Sequence, residues 1–118
     1  MSDAACPFCA VHSLTLVAEN DVAFAIRDRF PVRALHTLII PKRNVSDIFS
    51  TMPDEREALY QLALECRAAI SQDDPEVQGF NFGSNIGAAA GQKIFHAHLH
   101  LIPRRIGDTP PPPARPNE

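Results

Sequence analysis

The order of strand and helix signals along the 118 residues predicts an α+β fold: a five-stranded antiparallel sheet with one long and one short helix. Three observations carry this. Three short β-prone runs precede the one strong helical pattern, and two more follow it. Apolar residues inside that pattern recur three and four apart. Near the end, HAHLHLIP alternates polar and apolar residues with the period of a strand.

The elements follow in order. LTLV, residues 14–17, reads as a first strand, and Glu19-Asn20-Asp21 as a turn. VAFAIRD reads as a second strand ending at Asp28, and FPVRA as a loop in which Pro31 breaks pairing. LHTLII, residues 35–40, is a third strand rich in β-branched residues, ended by Pro41. A shorter helix is expected at Ser46 to Phe49. The long helix follows, with Thr51 and Asp54 forming a T-x-x-D cap and Pro53 in the first turn. Leu59, Leu62, Ala63, Cys66 and Ile70 form its core-facing stripe, so Cys66 reads as a small buried hydrophobe. The helix should end near Asp73-Asp74-Pro75. GFNFGSN, residues 79–85, is a fourth strand, IGAAAGQ a loop of small residues, and KIFHAHLHLIP a fifth strand. Residues 1–107 thus form one domain, and 108–118, with four consecutive prolines, a proline-rich C-terminal tail of extended character.

Composition narrows the function classes. A formal net charge of −3 argues against a general nucleic-acid binder, which needs a basic face. No run of about 18 apolar residues exists to span a membrane. The start, MSDAACPFCA, lacks the basic and apolar regions of a secretory signal, so the cytoplasm is the default location. Three cysteines are too few, and odd in number, for a disulfide scaffold. Cys6 and Cys9 form a C-x-x-C, which in a reducing compartment points to metal or redox chemistry. The metal reading is preferred, because the pair does not open a helix that would activate a thiolate.

On a strand, His96, His98 and His100 share one face, about 7 Å apart from one to the next, while Ala97, Leu99 and Leu101 face the core. Lysine, threonine or glutamate would serve a merely solvated face as well. Imidazole adds a nucleophile, a proton carrier near neutral pH and a metal ligand. The small residues from Gly87 to Gly91 allow backbone N–H groups to approach an anion closely, and Lys93, Arg104 and Arg105 add positive charge nearby.

HAHLHLIPR resembles the H-x-H-x-H-x-x signature of the histidine triad (HIT) superfamily, in the branch that continues with P-R and includes diadenosine polyphosphate hydrolases. CPFC, FAIRD, LHTLIIPK, GFNFGSN and AGQ resemble further segments of that family in the same order, so the resemblance spans roughly Cys6 to Arg105. It implies a homodimer with a ten-stranded sheet, binding purine nucleotides and breaking bonds to the α-phosphate. The substrates implied are dinucleoside polyphosphates or nucleoside phosphoramidates. The alternatives are nucleotidyl transfer and non-catalytic nucleotide binding.

Carried onto this sequence, the resemblance makes His98 the nucleophile that forms a nucleotidyl-histidine, and His100 a phosphate contact supporting it. His36 matches a further histidine near the phosphate, Asn85 a nucleotide contact, and Gln92 a bond to the bridging or leaving atom. Asp28 matches the acid that holds the ribose hydroxyls. Phe8 and Ile26 match base-pocket positions that could equally be ordinary core, and Gly91 belongs to the phosphate loop. No cofactor is required for this chemistry.

Two departures stand out. The family usually has Ser or Thr after the Gly-Gln pair, where this chain has Lys93. A lysine can bind a polyphosphate as a point charge or turn to solvent. Relatives with structural zinc use the C-x-x-C, the first triad histidine and a histidine just after I-P-K. Cys6, Cys9 and His96 match, but the fourth position is Asn44, a poor zinc ligand. Two readings stay open: His12 or water completes a zinc shell, or the metal is lost and His96 only orients the strand.

Overall fold

Phe8 and residues 15–108 are described by the structure, a computed structural model. Five strands, β1 (Leu16–Glu19), β2 (Ala23–Arg27), β3 (Thr37–Pro41), β4 (Val77–Gly83) and β5 (Leu99–Arg105), form one sheet in the order β1-β2-β3-β5-β4. All four pairings are antiparallel. The long helix α1, Pro53–Asp73, joins β3 to β4. The expected short helix is a 3-10 turn at Ile48–Ser50, capped by Asp47, whose carboxylate accepts the Phe49 and Ser50 N–H groups. The α+β expectation is met.

The stripe predicted for α1 is its buried face: Leu59, Leu62, Ala63, Cys66 and Ile70 pack on Ala23, Ala25, Ile39 and Leu101. Fully burying side chains such as Leu62 and Ile70 contributes roughly 1.5–3 kcal/mol each. Burial also pushes the Cys66 thiol up, as suits a core residue.

The helix start differs from the expected cap. Thr51 Oγ1 donates to the Ile48 carbonyl instead. The N-cap is Met52, and its N–H is taken at 2.7 Å by the carboxylate of Glu55, three residues on. Glu55 is buried and also accepts from Arg43 Nε and Nη2 at 3.0 and 2.7 Å. The bonds from Arg43 and the Met52 N–H offset the cost of burying this carboxylate and hold its pKa below the usual range.

β2 and β3 are buried on both faces, which explains the near-continuous apolar runs AFAI and TLII. One face packs on α1. The other carries Phe24, Ile26, Leu38 and Ile40, covered by Phe8 and Ile94. β1 begins two residues later than expected, after which Asn20 closes the turn, its Oδ1 accepting the Val22 and Ala23 N–H groups.

The largest correction concerns β5. It starts at Leu99, so His96 and His98 precede it and only His100 lies on it. The segment before Leu99 bonds elsewhere: the Ala97 N–H donates to the Val45 carbonyl, and the His98 carbonyl accepts from Ser84 Oγ. β4 likewise ends at Gly83, leaving Ser84 and Asn85 outside the ladder. Asp108, assigned to the tail, still bonds to the domain: its Oδ2 accepts the Arg105 N–H at 2.8 Å and its Oδ1 lies 3.4 Å from Arg33 Nε. The remaining tail residues, 109–118, lie outside the described residues.

Candidate active site

On the sheet face away from α1 lies a cavity of about 480 Å³. That is the size of a small-ligand site. Phe8, Ile26, Leu38 and Ile94 form its apolar wall. Asp28, His36, His98 and His100 form its polar side, and Asn85, Gly91 and Lys93 line it from the loop before the triad. Arg29, Phe30 and Val32 complete the lining. Phe8 and Ile26 are buried core and also wall the cavity.

The hydrogen bonds determine where each imidazole proton sits. His98 Nδ1 lies 2.8 Å from the carbonyl of His96. A carbonyl only accepts, so Nδ1 carries the proton and Nε2 the lone pair. The Val32 N–H donates to His36 Nδ1 at 3.1 Å, so the His36 proton is on Nε2. That nitrogen stands 3.0 Å from His100 Nδ1 and 3.5 Å from Asp28 Oδ2. His36 therefore donates to His100, which leaves the His100 proton on Nε2. The result is one ring with an outward lone pair, His98, beside one with an outward N–H, His100. Their centroids are 5.0 Å apart, closer than the strand rise suggested. Phe8 stands edge-on to His96 and His98, at 5.9 and 5.1 Å, and limits how they turn.

Asp28 sits just past β2, its Oδ1 accepting the Phe30 N–H at 2.9 Å. Leu35, immediately before His36, has φ +70, a left-handed conformation unusual for leucine. That turn brings His36 beneath His100 while its carbonyl accepts the Asp28 N–H. Gly91, at φ +94, ends a 3-10 turn at Ala88–Ala90 and needs the freedom of glycine.

Gln92 stands apart from the cavity. Its Oε1 accepts the Gly87 N–H at 2.8 Å, and its Nε2 donates to the carbonyls of Ser46 and Ile94 at 2.7 and 3.0 Å. Its amide is thus bonded to backbone groups, and it shapes the Gly87–Gly91 loop. Of the flanking arginines, Arg105 pairs with Asp74 at 2.6 Å and Arg104 Nε donates to Asn81. Sequence reasoning missed Ser84, the Val32 N–H, the His96 carbonyl and Arg29. The first three act through backbone bonds that no residue pattern announces.

Burial lowers the pKa of His36 and His96. Burial, with help from neighbouring His98 and His36, holds His100 at about 4. These groups fold neutral, whereas in the unfolded chain they take up protons near pH 6.5. Below that pH the unfolded state binds more protons, so stability falls as pH falls. Urea unfolding is expected to show full stability above about pH 7 and a loss of roughly 2–3 kcal/mol by pH 5, before the carboxylates titrate. A flat profile between pH 7 and 5 would contradict the neutral, buried assignment.

For zinc, His96 is fully buried and its Nε2 donates to the Pro41 carbonyl at 2.7 Å. Its Nδ1 is then the nitrogen with ligand character. Cys6, Cys9 and His12 lie outside the described residues, and Asn44 is exposed. Asp28, His36 and His100 place ligand atoms within 4.8 Å of one another, a spacing compatible with a metal ion. Coordination through His36 Nε2 would, however, move its proton to Nδ1 and break the Val32 bond.

The HIT domain family matches residues 11–107. An uncharacterized HIT-like protein of Mycoplasma genitalium, MG132, is 40% identical over 103 residues, covering 84% of this chain and 72% of that one. The adenylylsulfatase HINT3 of Arabidopsis thaliana is 37% identical over 91 residues, 76% of this chain and 45% of that one. Among solved structures, a zinc-bound histidine triad family protein from Mycobacterium smegmatis superposes with TM-score 0.81 at 32% identity, covering 91% of this chain and 80% of the other. Matched over residues 11–107 and alike in fold to solved members, this chain belongs to the HIT domain family.

Proposed function

We propose that this protein is a nucleotide hydrolase that cleaves the α-phosphate bond of a purine nucleotide conjugate through a nucleotidyl-histidine on His98. The observation that supports this most is the His98–His96 hydrogen bond, which leaves an Nε2 lone pair on a ring lining the cavity. Neutral imidazole is a good nucleophile, and the N–P bond it forms is labile. The base would lie on the apolar wall of Phe8, Ile26 and Leu38, with the ribose hydroxyls on Asp28. Asn85, the Gly91 backbone and the His100 Nε2–H would bind the phosphate.

In the first step Nε2 bonds to phosphorus and the bond to the leaving group breaks. In the second, water attacks phosphorus, the N–P bond returns its electron pair to Nε2, and the nucleoside monophosphate is released. A His100 donor already in place costs no reorganisation as charge develops on the phosphoryl oxygens. A hydrolase named as an adenylylsulfatase among the relatives supports an activity of this kind.

The test is AMP release from diadenosine tetraphosphate and adenosine phosphoramidate offered in parallel. Release from at least one is expected. AMP binding with no release from either would replace the hydrolase by a nucleotide-binding protein. We also propose a homodimer paired along β4, which is an open edge of the sheet and bears the exposed Phe82. Sedimentation should give twice the chain mass, and a monomer at micromolar concentration would refute it.

A further inference from the structure

Six arginine or lysine side chains make ion pairs or bonds to other side chains around the sheet ends: Arg33, Arg43 and Arg105 with carboxylates, Lys42 with Glu19, Arg27 with Thr37, and Arg104 with Asn81. Two cations that line the cavity do not. Arg29 and Lys93 are exposed, and neither has a carboxylate partner among the described residues. They approach the cavity from different segments, Arg29 from the loop after β2 and Lys93 from the segment leading into the triad. The cavity's one lining carboxylate, Asp28, is occupied by the Phe30 N–H and faces His36.

We infer that the group expelled from the α-phosphorus is an oxyanion, a phosphoanhydride chain or a sulfate, received by Lys93 and Arg29, and not an amine. This rests on the hydrolase reading and narrows it.

Two independent features carry the inference. The first is charge. A leaving oxyanion brings at least one negative charge beyond that of the α-phosphoryl group, and two cations without a carboxylate partner among the described residues line the cavity to meet it. They would repel a protonated amine. Lysine is a mobile point charge that can follow a chain of phosphates or meet a compact sulfate.

The second is the proton inventory. An amine departs from phosphorus only if its nitrogen takes up a proton as the P–N bond breaks. The hydrogen-bond pattern commits the His98 proton to the His96 carbonyl through Nδ1 and turns Nε2, the attacking atom, toward the cavity, while the His36 proton is shared with His100. Nε2 therefore has no proton to give a leaving group as it attacks. An oxyanion needs none. The P–O bond breaks with its electron pair on oxygen, and phosphate or sulfate leaves as the anion while Nε2 bonds to phosphorus. In the second step the proton released by water goes to solvent.

The test measures kcat/KM for adenylyl sulfate, diadenosine tetraphosphate and adenosine phosphoramidate with the wild type, Lys93→Ala and Arg29→Ala. The wild type should prefer one or both oxyanion substrates. In each variant the ratio of oxyanion to phosphoramidate kcat/KM should fall by about tenfold, the size of one screened charge contact. Comparing the sulfate with the tetraphosphate identifies which oxyanion is received. A wild-type preference for the phosphoramidate, or a ratio unmoved in both variants, overturns the inference while leaving the hydrolase standing. Failure of all three substrates with the wild type removes the hydrolase reading and the inference with it.

Discussion

His98→Ala is expected to lose AMP release by on the order of ten-thousand-fold while remaining folded. The asymmetry follows from what the ring does. Structurally, His98 contributes one hydrogen bond to the His96 carbonyl and edge contacts with Phe8 and His100, so truncation should cost about 1–3 kcal/mol. Chemically, no other lining side chain offers an outward imidazole lone pair. His100 accepts through Nδ1 from His36 and presents its proton outward, and His36 is itself buried with both nitrogens engaged. Neither can substitute without exchanging its proton and breaking a bond. Acid-labile nucleotide should be trapped on the wild type, on the peptide containing His98, and be absent from the variant. Retention of more than a tenth of the wild-type rate would show that the reaction does not pass through His98.

The same ring illustrates what the sequence could and could not reveal. The helical stripe from Leu59 to Ile70 was legible because a 3.6-residue period constrains five positions at once, and all five are buried. The two-sided burial of β2 and β3 was foreshadowed by AFAI and TLII. The alternation in HAHLHLIP gathered His98 and His100 beside one cavity, but it misplaced the strand, and His96 is buried against the Pro41 carbonyl outside the cavity lining. Alternation reports which way side chains point, whereas a strand also needs backbone partners. Here Ser84 Oγ and the Val45 carbonyl take bonds that a ladder would have used. The cap at Thr51 failed for a related reason: a T-x-x-D spelling was present, but Glu55, held by Arg43, reached the Met52 N–H instead. Gln92 shows what a motif leaves unsaid. The residue is where the motif puts it, yet its amide is committed to Gly87, Ser46 and Ile94, and only coordinates reveal that.

His36→Phe should lower kcat by about a hundredfold, with a smaller change in KM. Phenylalanine keeps a ring in a site that is only 2% exposed, so packing is largely preserved. What disappears is the Nε2–H donated to His100 Nδ1 at 3.0 Å. Without that donor nothing holds the His100 proton on Nε2, and a fraction of molecules presents a lone pair to the phosphate in place of a hydrogen-bond donor. The loss is thus specific to stabilising charge that develops during the reaction, which is why kcat and not binding should carry it. The loss of the bond from the Val32 N–H, on an exposed residue, adds a stability cost of about 1 kcal/mol. To separate the two effects, the ring nitrogens of His100 can be followed by NMR at pH 7. The wild type should show a protonated Nε2 and an accepting Nδ1. In the variant the tautomers should mix, and the slowed rate should persist at temperatures well below unfolding. A variant with an unchanged His100 tautomer and a rate loss matching its unfolded fraction would reduce His36 to a structural residue. The left-handed turn at Leu35 would then serve packing alone.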